Sequence, residues 1–129
     1  MSRTITDISD AEKSFLTERH LGTLTTMRSD GTPHVVAIAF ACDVDAGVVR
    51  IITSDNTQKV RNVERTGRAA VGQVDGPRWL TLEGEAHVTR DQAGVAAAVS
   101  AFEARYRPAR ENPSRVAIEI VVDRVMGRV

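Results

Sequence analysis

A group of polar and basic residues follows an apolar segment near the middle of the chain, within VVRIITSDNTQKVRNVER at positions 48–65. The apolar part predicts a strand and the polar part a helix. The helix is predicted to open with Asp55, Asn56, Thr57 and Gln58 and to carry Lys59 and Arg61 in its first turns. A helix start presents unpaired backbone N–H groups and partial positive charge, so these side chains suit a phosphate-bearing ligand. An Asp-capped surface helix with solvated basic residues is the alternative that the segment leaves open.

Three further side chains could contact a ligand, and each has a plainer alternative. Trp79 could offer a flat surface beside a planar ring, or it could plug a barrel end or anchor a dimer interface. Arg78 could bind a carboxylate of a substrate, or it could be an isolated surface arginine. His34 could form a hydrogen bond with a ring carbonyl, or it could be an edge histidine with its own partners. The residue types alone leave all three choices open.

The composition excludes several classes of function. Lys and Arg total 17, as do Asp and Glu, so the formal net charge is zero and no long-range field favours nucleic acid or an anionic membrane. No apolar run approaches the ~20 residues that span a bilayer. The N-terminal stretch lacks the apolar region of a secretory signal. The single cysteine, Cys42, excludes an internal disulfide. We therefore expect a cytoplasmic protein that binds neither nucleic acid nor membrane.

The patterns typical of metal and hydrolase sites are missing from the sequence. The three histidines, His20, His34 and His87, lack the close spacing of metal ligands, so no metal site is expected. A serine hydrolase would need a G-x-S-x-G turn, and a Rossmann site would need G-x-G-x-x-G in a strand–helix–strand unit. The remaining chemistry must therefore be supplied by a bound ligand.

The predicted elements run in the order helix, three strands, helix, two strands, helix, strand. A capping box at 9–12 starts a first helix of about ten residues. The strands are expected at 20–27, 33–40, 48–53, 68–74, 78–90 and 115–122; the second helix ends at Gly67, and the third is capped by 89–92 and runs to about 107. Short turns favour antiparallel neighbours, so we expect one α+β domain over residues 1–129 whose sheet can close into a barrel.

Two of these strands show period-two alternation. In 78–90, one face carries Leu80, Leu82, Gly84, Ala86 and Val88 and the other carries Trp79. In 33–40, His34 and Val36 share one face, whereas Val35 and Ala37 belong to a small-residue face that a flat ligand or another backbone could approach closely.

Three stretches together resemble a known family: HLGTLTTMRSDGTPHVVAIAF at 20–40, VRIITSDNTQKVRNVER at 49–65 and AAVGQVDGPRWLTLEGEA at 69–86. They resemble the flavin and deazaflavin split barrels related to pyridoxamine 5′-phosphate oxidase. The most specific pieces are T-x-K-x-R-N at 57–62 and L-E-G at 82–84. The run R-W-L-x-L-E-G at 78–84 is most similar to the branch of biliverdin reductases that uses reduced coenzyme F420.

The resemblance implies a mostly antiparallel six-stranded split barrel, as in the FMN-binding barrels, with flanking helices. It also implies a homodimer with two cofactor sites between the subunits. The strand carrying His34, Val35, Val36 and Ala37 would line the deazaflavin ring. The segment carrying Ser54, Thr57, Gln58, Lys59, Arg61 and Asn62 would bind the cofactor phosphate and the start of its tail, with Lys59 as the leading contact. Trp79 would reach the site from the other subunit.

The reaction implied by the resemblance is hydride transfer from reduced coenzyme F420 to a bridging methine of biliverdin, which gives bilirubin. Arg78 is the candidate contact for a propionate or for the tetrapyrrole, and no residue of the sequence stands out as the proton donor. The protein would contribute orientation and electrostatics, because the hydride chemistry belongs to the cofactor.

Two departures from the FMN-dependent oxidases of this family bear on the cofactor. Those oxidases carry an arginine on the strand that matches 33–38, where this chain has only His34, and they have a basic C-terminal extension that has no counterpart here. Both departures argue against pyridoxamine phosphate oxidation and, more weakly, against tight binding of FMN. FMN, a different conjugated substrate such as a quinone or an enone, and a non-catalytic carrier of deazaflavin or tetrapyrrole stay open as alternatives.

Overall fold

Seven strands and three α-helices make up residues 3–129, which are the residues that the computed structural model describes. The strands are Gly22–Met27 (β1), Pro33–Ile38 (β2), Ala41–Asp43 (β3), Val48–Ser54 (β4), Arg68–Asp75 (β5), Arg78–Thr89 (β6) and Arg115–Arg128 (β7). The α-helices are Asp10–Phe15 (α1), Gln58–Thr66 (α2) and Gln92–Arg105 (α3), and a 3₁₀ turn spans Ile5–Asp7. Among the described residues, no helix is both long and apolar enough to cross a membrane.

The strands form one antiparallel sheet in the order β2-β1-β5-β6-β7-β4-β3. The α+β class and the split-barrel architecture are confirmed, but the sheet has seven strands where six were expected. The additional strand is β3, which has three residues and pairs only with 48–50 of β4. The sheet of residues 3–129 does not close, and β2 and β3 form its two edges.

The core lies on the face of the sheet predicted from the alternation in β6. Leu80, Leu82, Gly84 and Ala86 are buried, whereas Trp79, Glu85 and His87 are exposed. The last strand was predicted to end at residue 122, and this was wrong, because β7 continues to Arg128. The register of β6 on β7 shifts at Glu83/Gly84, where Asp123 is the extra residue of a β-bulge.

Gly84 is required at this bulge. A Cβ atom there would lie 1.8 Å from the backbone oxygen of Val121. The glycine of the L-E-G sequence therefore allows β6 and β7 to approach closely, which is a structural reason for its presence.

Two helix boundaries differ from the predictions. The capping box is confirmed, since Ser9 Oγ accepts from the backbone N–H of Glu12, but α1 has six residues instead of about ten. The chain leaves this helix at Thr17, whose Oγ1 donates to the backbone oxygen of Ser14. The third helix is capped by Asp91, whose side chain accepts from the backbone N–H of Gly94, and it ends at Arg105.

Candidate functional site

The turn between β4 and α2 leaves the start of the helix uncapped by a side chain. The helix begins at Gln58 with Thr57 as its N-cap, not at Asp55 as predicted. Thr57 Oγ1 donates to the backbone oxygen of Ser54 at 3.2 Å instead of accepting from the helix. The first backbone N–H groups of α2 are therefore open to an anionic ligand.

Asp55 is held away from the helix start by Arg90. The two side chains form a bidentate pair with distances of 2.9 and 3.2 Å, and this pairing lowers the pKa of the Asp55 carboxyl. The same arginine also binds Glu64 on α2 at 2.9 Å. The Asp-capped alternative for this helix is thus wrong. The turn is closed by Asn56, which adopts φ 62°, a left-handed conformation that asparagine tolerates better than most residues.

Lys59, in the first turn of α2, has no partner among the described residues. Its side chain is partly buried, and desolvation lowers the pKa of its ammonium group. Within residues 3–129, no carboxylate lies within ion-pair distance of Lys59, and its Nζ has no hydrogen bond. A partly buried charge of this kind is costly unless it is paired, so the position favours a ligand that brings negative charge.

His34 lies in the same region and is also unsatisfied. Its Nδ1 is buried and has no hydrogen-bond partner among the residues that the structure describes. Burial lowers the pKa of the imidazole first, and the positive charges of Arg28 and Lys59 lower it further. The neutral form of the ring is therefore favoured, and its buried Nδ1 is a polar atom still to be satisfied.

Asn62 fixes the helix against the sheet. It is fully buried, its Nδ2 donates to Thr26 Oγ1 at 3.0 Å, and its Oδ1 accepts from Gln58 Nε2 at 2.7 Å. Both predicted site amides, those of Gln58 and Asn62, are used in this network. They position the start of α2 rather than extend toward solvent. Thr26 was not singled out in the sequence, although a polar residue within the apolar face of α2 is a signal that a buried partner must exist.

Arg61 and Ser54 also hold the turn together. The guanidinium of Arg61 donates to the backbone oxygen of Asn56 and, at 3.1 Å, to Gln58 Oε1. It is exposed, so any ligand contact that it makes is strongly hydrated. Ser54 Oγ accepts from Asn112 Nδ2 at 2.9 Å, which links the turn to the loop before β7.

The predicted ring-binding strand, β2, is an edge strand and presents two different faces. His34 and Val36 are partly buried, whereas Val35 and Ala37 are exposed. A planar ring can therefore meet the side chains of one pair only. The strand pairs with β1 on one side, so the backbone groups of its other edge are free to bind the polar rim of a ring.

Trp79 is distant from this region within one chain. Thr25, next to Thr26, is in register with Ala70, and Ala70 is in register with Glu83. Trp79 precedes Glu83 by four positions, which corresponds to about 13 Å along the strand. It is 39% exposed on the outer face of the sheet. One chain therefore does not bring Trp79 to Lys59.

Arg78 is occupied by partners of its own chain. Its guanidinium binds Glu18 with distances of 2.8 and 3.0 Å, also contacts Asp75, and lies 4.5 Å from the centroid of the Phe15 ring. The hydrogen bonds from Arg78, followed by that from His20, lower the pKa of Glu18 to about 2. These contacts give Arg78 a structural role. A substrate carboxylate could bind Arg78 only in competition with Glu18 and Asp75.

The same cluster brings together potential metal ligands that the sequence separates. Donor atoms of Glu18, His20 and Asp75 lie within 4.8 Å of one another. Arg78 binds both carboxylates, so a cation of the chain already offsets part of their charge.

The comparison with protein families decides the classification. The family described as pyridoxamine 5′-phosphate oxidase matches residues 8–128. The chain belongs to this family. Within it, the chain is 47% identical over 127 residues to a protein of Mycobacterium tuberculosis (strain CDC 1551 / Oshkosh) named F420H(2)-dependent biliverdin reductase, and the match covers 98% of this chain and 93% of that protein.

Two solved structures support the same assignment to the pyridoxamine 5′-phosphate oxidase family. A structure named F420 reductase is 28% identical, with a TM-score of 0.75 over 92% of this chain and 98% of that one. A conserved hypothetical protein from Mycobacterium tuberculosis is 26% identical, with a TM-score of 0.79 over 99% of this chain and 89% of that one.

Proposed function

We propose that this protein is an oxidoreductase that uses reduced coenzyme F420 to reduce biliverdin to bilirubin. The observation that carries the proposal is the unpaired, partly buried Lys59 beside the open start of α2. That arrangement suits the phosphate of F420, since the cation belongs to the first turn of a helix whose N–H groups lack a side-chain cap. The activity named for the 47% identical relative supplies the cofactor and the substrate.

The predicted contacts divide into two roles. Lys59 and the N–H groups of the first turn of α2 bind the phosphate directly, and Ser54 marks where the cofactor tail begins. Thr57, Gln58 and Asn62 hold the helix start in place through their own hydrogen bonds. Arg61 adds a screened positive charge at the surface. This division is expected because a ligand cannot reach an amide that is fully buried and already bonded.

The edge strand β2 is the proposed support for the deazaflavin ring. His34 offers an unsatisfied ring nitrogen, and the free backbone edge of β2 offers further donors and acceptors. When bound, the reduced deazaflavin supplies a hydride to a methine bridge of biliverdin, and one proton from solvent completes the reduction to bilirubin. The chain orients the ring and excludes water from one of its faces.

We further propose that the functional unit is a homodimer. Large apolar side chains are exposed on the outer face of the sheet, with exposed fractions of 63% for Leu21, 69% for Val74, 39% for Trp79 and 42% for Met126. Val74 and Trp79 are directly paired across β5 and β6. An exposed group of this kind is typical of a subunit interface. A second copy on this face would bring its own Trp79 toward the ring site.

The single-domain and cytoplasmic assignments stay predictions. One continuous sheet and one core unite the described residues, which supports a single domain, although residues 1 and 2 lie outside that description. Cys42 is a free cysteine, and burial raises the pKa of its thiol to about 12, so it is poorly suited to redox chemistry.

Cofactor titration followed by turnover tests the proposed function. Protein is titrated with F420 and, separately, with FMN, and then mixed with reduced F420 and biliverdin while the absorbance of both is followed. We expect tight F420 binding and consumption of biliverdin. If the protein binds FMN and not F420, its cofactor is FMN. If F420H2 binds but biliverdin does not oxidise it, the protein is either a carrier or a reductase of another substrate, such as a quinone or an enone.

A further inference from the structure

A basic cleft lies beside Ser54, between the C-terminal half of α3, the end of β4 and the loop before β7. Its volume is about 400 Å³. Its lining includes Ser54, Phe102, Arg107, Arg110, Asn112 and Arg115. None of the three arginines was predicted as a site residue, because the loop that carries them shows no motif.

The three arginines of this cleft have no carboxylate partner among residues 3–129. Within the part of the chain that the structure describes, the ion-paired arginines are Arg3, Arg50, Arg68, Arg78, Arg90 and Arg124. Within the described part of the chain, no carboxylate lies within 4 Å of the guanidinium nitrogens of Arg107, Arg110 or Arg115. Glu111 is the one acidic residue in the lining, so positive charge exceeds negative there.

Two of these arginines have contacts within the chain, and these contacts hold their guanidinium groups only loosely. The Arg107 guanidinium lies 5.5 Å from the centroid of the Phe102 ring, and Arg115 donates to the backbone oxygen of Arg110. Most of their N–H groups remain available. Guanidinium groups bind carboxylates through paired, nearly planar hydrogen bonds, so the cleft is suited to a ligand with several carboxylates.

The cleft borders the turn that leads into α2. Ser54 forms part of its wall, and the backbone oxygen of Ser54 accepts from Thr57 Oγ1, the N-cap of α2. The loop before β7 is fastened to the same turn: Asn112 Nδ2 donates to Ser54 Oγ at 2.9 Å, and the backbone N–H of Asp55 donates to the oxygen of Ser114 at 2.9 Å. The wall of the cleft at Ser54 is therefore fastened directly to the N-cap of α2, which places the two regions side by side.

We propose that this cleft is a second, carboxylate-binding subsite of the ligand site at α2, with Arg107, Arg110 and Arg115 as its contacts. The proposal rests on the proposed function, which brings two sources of carboxylates to the region. One source is the glutamyl tail of the cofactor, and the other is the pair of propionates of the tetrapyrrole. The three arginines suit carboxylates from either source, and the experiment distinguishes the cofactor tail from the propionates.

The test compares ligands with and without carboxylates on variants of the cleft. The variants are Arg110→Gln and Arg107→Gln, which break no hydrogen bond given by the described structure. The control is Arg19→Gln, an exposed arginine outside the cleft. Dissociation constants are measured for F420 with its glutamyl tail and for its tail-free form, which keeps the phosphate. KM values are measured for biliverdin and for its dimethyl ester.

Two results support the subsite and identify its ligand. If the cofactor tail occupies it, each cleft variant weakens binding of the tailed cofactor by about three- to tenfold and leaves the tail-free form unchanged. If the propionates occupy it, each variant raises KM for biliverdin by a similar factor and leaves the dimethyl ester unchanged.

Unchanged values for all four ligands, or equal losses with and without carboxylates, would overturn the subsite. Failure of the proposed function is distinguishable, because it would be seen in the parent protein as the absence of F420 binding or of biliverdin turnover. Failure of the subsite is seen only in the comparison of variants with a parent that binds and turns over normally.

Discussion

Replacing Lys59 with methionine separates cofactor binding from folding. The methionine keeps the apolar length of the side chain and removes the charge. A charge-assisted hydrogen bond to phosphate contributes about 1.5–3 kcal/mol, so we expect the dissociation constant for F420 to rise about ten- to 150-fold. Arg61→Gln should cost less than about fivefold, since this exposed side chain contributes about 1 kcal/mol at most.

The same substitution should not destabilise the free protein. Burial lowers the pKa of Lys59 in the folded chain, so at pH 7 the charged ammonium is less favourable in the folded than in the unfolded state. Removing it should leave the melting temperature of the free protein unchanged or raise it. Stability that is retained while affinity is lost is typical of a residue kept for a ligand.

The dissociation constant is measured by fluorescence titration with F420, and the melting temperature of the free protein is measured by calorimetry. Lys13→Met is the matched control, because Lys13 is the other lysine of the chain and is exposed on α1. Equal dissociation constants for Lys59→Met and its parent would refute the assignment of the phosphate to this lysine. A large fall in the melting temperature would instead make Lys59 a structural residue.

Three further outcomes follow from the contacts described above. Asn62→Ala should cost about 1–3 kcal/mol of unfolding free energy in urea titration, because it leaves the buried Thr26 hydroxyl without its partner; an unchanged midpoint would contradict this. Gly84→Ala should destabilise by about 3 kcal/mol or more, since its Cβ would meet backbone at 1.8 Å. Gly72→Ala should be much milder in the same assay, because its Cβ would meet only side-chain oxygens, the nearest at 3.4 Å. Similar losses would remove the close-approach argument. The pKa of Glu18 is lowered to about 2 in the folded protein, so its contribution to stability is present above the pKa of the unfolded state and is lost as the pH falls toward 2. Glu18→Gln should therefore lose less stability than its parent between pH 5 and pH 3. Parallel pH profiles would show that the Arg78 pair contributes nothing.

The sequence predicts the sheet well where alternation is regular. The stripe of Leu80, Leu82 and Ala86 places β6 correctly because each of these residues packs on the same core. β3 was missed because three residues are too few to show a period. The end of β7 was missed because Asp123 and Arg124 are both polar and exposed. Two adjacent polar residues are typical of the end of a strand. The bulge that inserts Asp123 explains them, and a bulge is fixed by the pairing of two strands rather than by local sequence.

The sequence nominates the candidate site, but it indicates few of the contacts that surround the nominated residues. Polar residues at a strand-to-helix junction located Lys59 before any fold was known. The sequence could not indicate that Asn62 would bind Thr26, which lies 36 residues away, or that Arg78 would be taken by Glu18, which lies 60 residues away. Long-range pairing decides which polar side chains remain free for a ligand. That pairing leaves Lys59 and His34 available and removes Arg78 and Asn62.

A crystal structure of the protein with bound F420 tests the central claim most directly. We predict that the phosphate lies within hydrogen-bond distance of Lys59 Nζ and of the first N–H groups of α2, with the ring against β2. A phosphate bound elsewhere, with the start of α2 facing only water, would contradict the account.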